Sequence, residues 1–230
     1  MWYLILILIR CAGVQDSVAA LVQEGKNFAE IWAEHPGFAL VHRGQIEQAV
    51  AFWALKRRLS EMPGIAPCQT SEAMPFQAFV VATWLNQNVV GRPDREFRTR
   101  QLYIHGATQL GKTTLVMELR KYLSVYDIPA DEEYCDFYED GMYDLAVLDE
   151  FEGQRSIQWM NRWLDGSPFT LRKKGAQVVK EKNIPTMILS NLAPAEAYPT
   201  KSPTLVNTFA GRLVVVELTE FLNVPINPAV

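Results

Sequence analysis

Cysteine and histidine are both scarce, with three of each in 230 residues. Cys11, Cys68 and Cys135 stand far apart with no CxxC spacing. That excludes a zinc knuckle and a disulfide framework, and leaves three free thiols in a reducing compartment. His35, His42 and His105 never fall one residue apart, so no paired-histidine metal site can be assembled from neighbours. His105 abuts a glycine-rich turn and is expected to pack there or to line the pocket beside it. No apolar run reaches the roughly 20 residues that cross a bilayer. The opening MWYLILILIR also lacks the basic leading segment of a secretion signal. It reads either as a buried strand or as the remainder of an upstream segment cut at an odd boundary, and we prefer the second. Repeats and low-complexity tracts are absent, which excludes solenoid architectures. Excess positive charge is absent too: the net charge is −4 and the pI near 5.5. Such a chain does not coat nucleic acid with its whole surface, although a local basic channel remains compatible.

What is present is ordinary for a globular protein: 49% hydrophobic and 21% charged residues, in a length that suits one sizeable core and a small accessory domain. The first hundred residues read as helical. Residues 14–35 are mixed polar and apolar and end at His35-Pro36-Gly37. Residues 45–59 place Ile46, Val50, Trp53 and Ala54 on one helical face. Residues 75–90 form a further helix with Pro75 in its first turn. A charged connector, GRPDREFRTR, follows. From residue 101 short apolar runs alternate with helical periods. Strands are expected at 101–105, 132–137, 144–149, 185–190 and 212–219, with helices at 113–124 and 156–164. Continuous apolar strands joined by crossovers imply an α/β fold with a central parallel sheet covered on both faces.

The strongest motif is GATQLGKTT: Gly106, Ala107, Thr108, Gln109, Leu110, Gly111, Lys112, Thr113 and Thr114. It matches G-x-x-x-x-G-K-[ST] between an expected strand and an expected helix. A phosphate chain needs several backbone N–H groups converging on it. Glycines permit that curl, and the helix that follows aims its dipole at the anion. Lys112 would bridge the β- and γ-phosphates of ATP, and Thr113 would hold Mg²⁺ through its hydroxyl. In YDLAVLDEFEG, Asp149 and Glu150 close an apolar run. Asp149 is expected to coordinate Mg²⁺ through water, and Glu150 to orient or deprotonate the attacking water. In TMILSN, Asn191 ends another strand, where a neutral amide can bind that water or the γ-phosphate without adding charge.

Two segments contrast in charge. LRKKGAQVVKEK carries Arg172, Lys173, Lys174, Lys180 and Lys182 against the single acid Glu181. It suits phosphate contacts that carry no sequence information, or else a solvated loop. Residues 131–152 hold ten acids and no Lys or Arg. They are expected to face away from nucleic acid, except for the pair at the phosphate site, which would polarise the domain.

Together GATQLGKTT, VLDEF and ILSN resemble motifs A, B and C of superfamily 3 helicases, closest to the replication-initiator (Rep) proteins of circular single-stranded DNA viruses such as circoviruses and geminiviruses. Glu150 stands where the family usually has a second aspartate. FTLRKKGAQVV, residues 169–179, resembles the family's β-hairpin, with Ala176 replacing a glycine. EHPGFALVHRGQIEQAV and MPFQ resemble the segments preceding the phosphate loop, so the likeness spans roughly 24–220.

The resemblance implies an AAA+-like P-loop NTPase that hydrolyses Mg-ATP and unwinds nucleic acid during rolling-circle replication, with single-stranded DNA favoured over RNA. It implies a homo-oligomeric ring, by family analogy a hexamer, in the host nucleus, with no membrane association. Arg172, Lys173, Lys174 and Lys180 would contact the nucleic-acid backbone. Arg212 would act on the neighbour's ATP, unless it is only a strand-edge surface charge. The family's nuclease domain, with its HxH pair, is not recognisable here, so the chain is expected to be either a helicase-only product or a fragment whose partner is a separately encoded nuclease. The expected organisation is a leader at 1–23, a helical linker or oligomerisation domain at 24–97, the ATPase at 98–222 and a tail at 223–230. An RNA helicase, a P-loop small-molecule kinase and a non-catalytic remnant are the alternatives.

Overall fold

The structure is a computed structural model. It describes residues 2–130, 134–174 and 176–229, with side chains from residue 13 onward; Cys11 thus lies outside the described side chains. By contacts the chain divides into two compact units, Met1–Glu61 and Met62–Val230.

The first unit is helical: α1 (Trp2–Glu24), α2 (Phe28–Glu34), α3 (Pro36–Val41) and α4 (Arg43–Ser60). The opening apolar run is therefore helical, not a strand. Asn27 starts α2 with a reciprocal capping box. Its side chain accepts from the Glu30 N–H, and the Glu30 carboxylate accepts from the Asn27 N–H. Pro36 does not end the helical region, as expected, but opens α3, where its fixed φ suits a first turn. Val18, Val22, Ile31, Ala39 and Ile46 form the unit's core.

The second unit begins its regular structure with α5 (Phe76–Asn88) and continues through β1 (Gln101–Gly106), α6 (Lys112–Leu119), β2 (Val125–Asp127), β3 (Leu145–Leu148), α7 (Ile157–Asp165), β4 (Phe169–Lys173), β5 (Ala176–Lys180), β6 (Thr186–Ser190), α8 (Pro203–Ala210) and β7 (Leu213–Leu218). The order β2-β3-β6-β1-β7 makes one five-stranded sheet, parallel throughout. This is the expected α/β fold, with the glycine-rich loop after its first strand. Alternate residues face opposite sides. Leu102, Ile104, Leu145, Val147, Met187 and Leu189 pack with residues of α5 and α6. Tyr103, Ala146, Leu148 and Ile188 pack with residues of α7 and α8. Both faces are thus buried, which is why these strands read as unbroken apolar runs. It also explains why α5, which the sequence grouped with the helical segment, belongs by contacts with the sheet.

One expected strand is not seen among the described residues. Of 132–137, residues 132 and 133 lie outside the described residues, 134 and 135 have no regular structure, and 136 and 137 form a turn. The edge strand is instead Val125–Asp127, paired with β3. It has only three residues before Ile128-Pro129, too few for a periodic signal. Among the described residues no helix is long and apolar enough to cross a membrane.

Candidate functional site

In a parallel sheet all strand ends of one sense lie along one edge, so their order decides which side chains meet. β6 lies between β1 and β3. The acid-bearing strand is therefore not adjacent to the glycine-bearing one, and Asn191 at the end of β6 stands between Lys112 and Asp149.

Gly106 ends β1 at φ 143°, and a Cβ there would lie 2.6 Å from the Leu218 carbonyl oxygen. Gly111 has φ 85°, with the Leu222 carbonyl oxygen 3.0 Å from an added Cβ. Both positions exclude other residues by conformation and by space. Gly111 is also the N-cap of α6, which has no side-chain cap. Its first N–H groups are left for a ligand, as an anion site requires.

The Lys112 ammonium donates to the Gly106 carbonyl at 2.6 Å, the Ala107 carbonyl at 2.8 Å and Asn191 Oδ1 at 3.0 Å. Burial lowers its pKa, against the opposing pull of Asp149. The Thr113 hydroxyl stands 3.4 Å from Asp149 Oδ2, while Asp149 Oδ1 accepts from the Glu150 N–H at 2.9 Å. Glu150 holds φ 51°, a strained conformation for a residue with a side chain. Its carbonyl accepts from Gln154 Nε2. A cavity of about 190 Å³ is lined by residues 108–114, Asp149, Glu150, Leu189, Ser190 and Asn191. Loop, acids and amide thus converge on one space. Thr113 and Asp149 offer it hard oxygen donors, which fits Mg²⁺ sharing its remaining positions with water and phosphate. Among the described residues no group of three or more His, Cys, Asp or Glu could hold a metal by itself. His105 is half-buried behind the loop, 6.0 Å ring to ring from Tyr103, and burial lowers its pKa against the opposing effect of Glu217 and Glu196.

Ser190 was missed as a structural element of the site. Its hydroxyl donates to the Phe151 carbonyl at 2.6 Å and accepts from the Leu192 N–H at 2.8 Å, clamping the end of β6 to the acidic loop. A lone hydroxyl closing an apolar strand was the available signal.

The basic hairpin is present as β4 and β5, antiparallel with Phe169 opposite Lys180. Gly175 at its tip lies outside the described residues. Its charges are not displayed as expected. Lys173 Nζ pairs with Glu139 at 2.5 Å, and Lys174 with Asp136 at 3.6 Å. Lys174 and Arg172 remain exposed. Asp136 and Glu139 of the acidic stretch therefore pack against the hairpin expected to meet nucleic acid. Further bonds run from the Cys135 N–H to the Arg172 carbonyl and from the Lys174 N–H to Asp136 Oδ1, both at 2.7 Å. Opposite charges 34 and 38 residues apart meet here, so among the described residues the two segments do not stand apart as the expected polarity requires.

Lys180 is a correction as well. It is fully buried and does not present a charge to a nucleic-acid backbone. Its ammonium donates to the Lys182 carbonyl at 2.8 Å and lies 5.2 Å from the centre of the Trp163 ring. Burial pushes its pKa down to about 8, with Asp140 opposing and Arg95 reinforcing the shift. The unfolded chain keeps this proton up to about 10.5 and the folded chain releases it near 8. Between those values the unfolded state binds more protons, so stability rises with pH across that window, and the full penalty applies below it. Lys180→Met keeps most of the buried stem and is expected to stabilise the fold by about 1–3 kcal/mol at neutral pH. That gain should shrink as pH climbs from 8 towards 10.5. Chemical denaturation across that range tests it, and a variant no more stable than the parent would refute it.

Arg212 is not brought to the cavity of its own chain. It precedes β7 at the opposite end of the sheet, where its carbonyl accepts from the Gln101 N–H. Its guanidinium binds both oxygens of Asp165, at 2.7 and 2.9 Å, with both side chains only 16% exposed.

No family model and no curated protein matches the chain. Among solved structures it is similar to a putative primosome component from Streptococcus pyogenes serotype M3, at 13% identity and a TM-score of 0.40, over 68% of this chain and 86% of that one. It is similar to JCV helicase at 15% identity and a TM-score of 0.45, over 83% of this chain and 61% of that one. With NtrX from Brucella abortus in complex with ATP the identity is 15% and the TM-score 0.37, over 82% and 52% of the two chains. The chain thus spans less than two thirds of the JCV helicase and NtrX chains.

Proposed function

We propose that this chain is a Mg-ATP-hydrolysing nucleic-acid motor of the superfamily 3 helicase type, acting on the single-stranded DNA of a genome copied by rolling-circle replication. The observation that carries the reading is the convergence of Lys112, Thr113, Asp149, Glu150 and Asn191 on one cavity at the mouth of an uncapped helix.

In this reading the loop N–H groups and the first turn of α6 bind the phosphates. The Lys112 ammonium exchanges its carbonyl partners for β- and γ-phosphate oxygens, and the Asn191 amide, already bonded to Lys112, orients the attacking water. Glu150 accepts a proton from that water as its oxygen bonds to the γ-phosphorus; the bond to the bridging oxygen breaks, and ADP and phosphate leave. Thr113 and Asp149 hold Mg²⁺, which when bound neutralises phosphate charge. Exposed Arg172 and Lys174 offer the hairpin's contacts to the nucleic-acid backbone, without base specificity. Subunits assemble as a ring, a hexamer by analogy with the family the motifs resemble. For Arg212 to serve a neighbour's site there, it would have to leave Asp165.

The test is ATP hydrolysis by the whole chain, measured alone and with single-stranded DNA or RNA. Hydrolysis stimulated more by DNA than by RNA is expected. Stronger stimulation by RNA would make it an RNA motor, and phosphorylation of a nucleoside by a monomer would make it a small-molecule kinase. Hydrolysis insensitive to either polymer would remove the motor reading.

A further inference from the structure

We propose that Phe221 is the platform on which the base of the bound nucleotide stacks. The proposal rests on the nucleotide reading above and adds a residue outside the phosphate-loop motif.

After β7 the chain turns across the loop. The Leu222 N–H donates to the Leu110 carbonyl at 2.9 Å, and buried Leu222 and Val224 join the core that holds Leu115. These anchors fix the backbone just after residue 221, β7 ends three residues before it, and its ring is set directly against the N-cap of α6. A Cβ on Gly111 would lie 3.1 Å from Phe221 Cζ and 3.2 Å from Cε2. Yet the residue is 58% exposed. An aromatic ring held in place by its neighbours and left open to water is a preformed surface for another flat ring. Such stacking costs little ordering on the protein side.

Its position suits a base. A polyphosphate gripped by residues 106–113, with its terminal phosphate towards Asp149 and Asn191, must leave the cavity at its nucleoside end past the start of α6. The ring covers that start. Two residues before it, the Thr219 hydroxyl accepts from Gln77 Nε2 at 3.0 Å. That pairing leaves the hydroxyl proton and the Gln77 amide oxygen available to a base edge. The site therefore binds nucleoside triphosphates more tightly than polyphosphate alone.

Calorimetry on the full chain with Mg²⁺ present compares ATP with inorganic tripolyphosphate. Phe221→Ala is expected to weaken ATP binding about ten-fold, a typical loss for one base–aromatic stack, while tripolyphosphate binds as before. Phe221→Trp should restore ATP affinity. Because the side chain is mostly exposed, neither change threatens folding. Unchanged ATP affinity in Phe221→Ala overturns the proposal, and so does an equal loss for both ligands, which would mark the ring as packing for the loop. If the unaltered chain fails to bind tripolyphosphate, or Lys112→Ala binds it as well as the parent, the phosphate-loop reading falls and takes the platform with it. A loss confined to ATP in Phe221→Ala, with tripolyphosphate binding abolished in Lys112→Ala, supports both.

Discussion

Lys112→Ala is expected to lower ATP turnover by about 10²–10³-fold or more while leaving the fold intact, because the ammonium is the one cation aimed into the cavity from the loop itself. The scale is that of removing a single preorganised donor from a site where charge develops, a lower bound for a full positive charge. The structure separates this effect from a stability effect. The three partners of the ammonium are the Gly106 and Ala107 carbonyls and the Asn191 amide oxygen. Two of these contacts are exposed, so water can replace the lysine there. Truncation should therefore cost on the order of 1 kcal/mol of stability. Phosphate oxygens have no comparable substitute, since α6 brings only neutral N–H groups. Turnover measured beside thermal unfolding decides the matter. A variant that unfolds near the parent's temperature and hydrolyses ATP within a few-fold of it would show that the loop does not grip a triphosphate.

The parts of the site carried by local chemistry were legible. A strand, a glycine-lined turn and a helix follow one another within twenty residues, and each leaves its own mark: an apolar run, G-x-x-x-x-G-K-T, then helical spacing. Asp149 and Asn191 were legible because each closes an apolar run. What failed to show were relations between distant segments. Nothing in β1, β3 and β6 tells which is flanked by which, because all three are buried on both faces along most of their length and are similarly apolar. The insertion of β6 between β1 and β3 therefore appears only in the structure. The charge pattern misled for the same reason. Lys173 and Glu139 are far apart in sequence and meet only because Cys135 bonds to the backbone of β4. Lys180 read as a basic surface residue, yet the strand's alternation turns it inward, where Trp163 and a carbonyl receive it. Phe221 follows two polar residues in an unpatterned tail and acquires its position from Leu222 and Gly111.

Gly153 shows how much of the chemistry depends on such unmarked contacts, and Gly153→Ala is expected to destabilise the second unit by about 3 kcal/mol or more. Two costs act together. The residue holds φ 89°, a conformation that costs a side-chain-bearing residue about 1–2 kcal/mol. A Cβ would also lie 2.0 Å from the Ala197 carbonyl oxygen, a backbone atom that no rotamer change can move aside. The glycine allows the turn after Asp149-Glu150-Phe151 to close against the segment that follows Asn191. The same turn is tied by Gln154 to the Glu150 carbonyl and by the Ser190 hydroxyl to the Phe151 carbonyl. Moving Ala197 aside would thus displace the acidic loop and the end of β6 together. Two effects are expected at once: a lower unfolding midpoint, and lost hydrolysis even in the fraction that stays folded. Denaturant titration and turnover below the transition measure them separately. Parental stability would mean that the turn relaxes without strain. A destabilised variant with full turnover in its folded fraction would mean that Glu150 and Asn191 are held by something other than this contact.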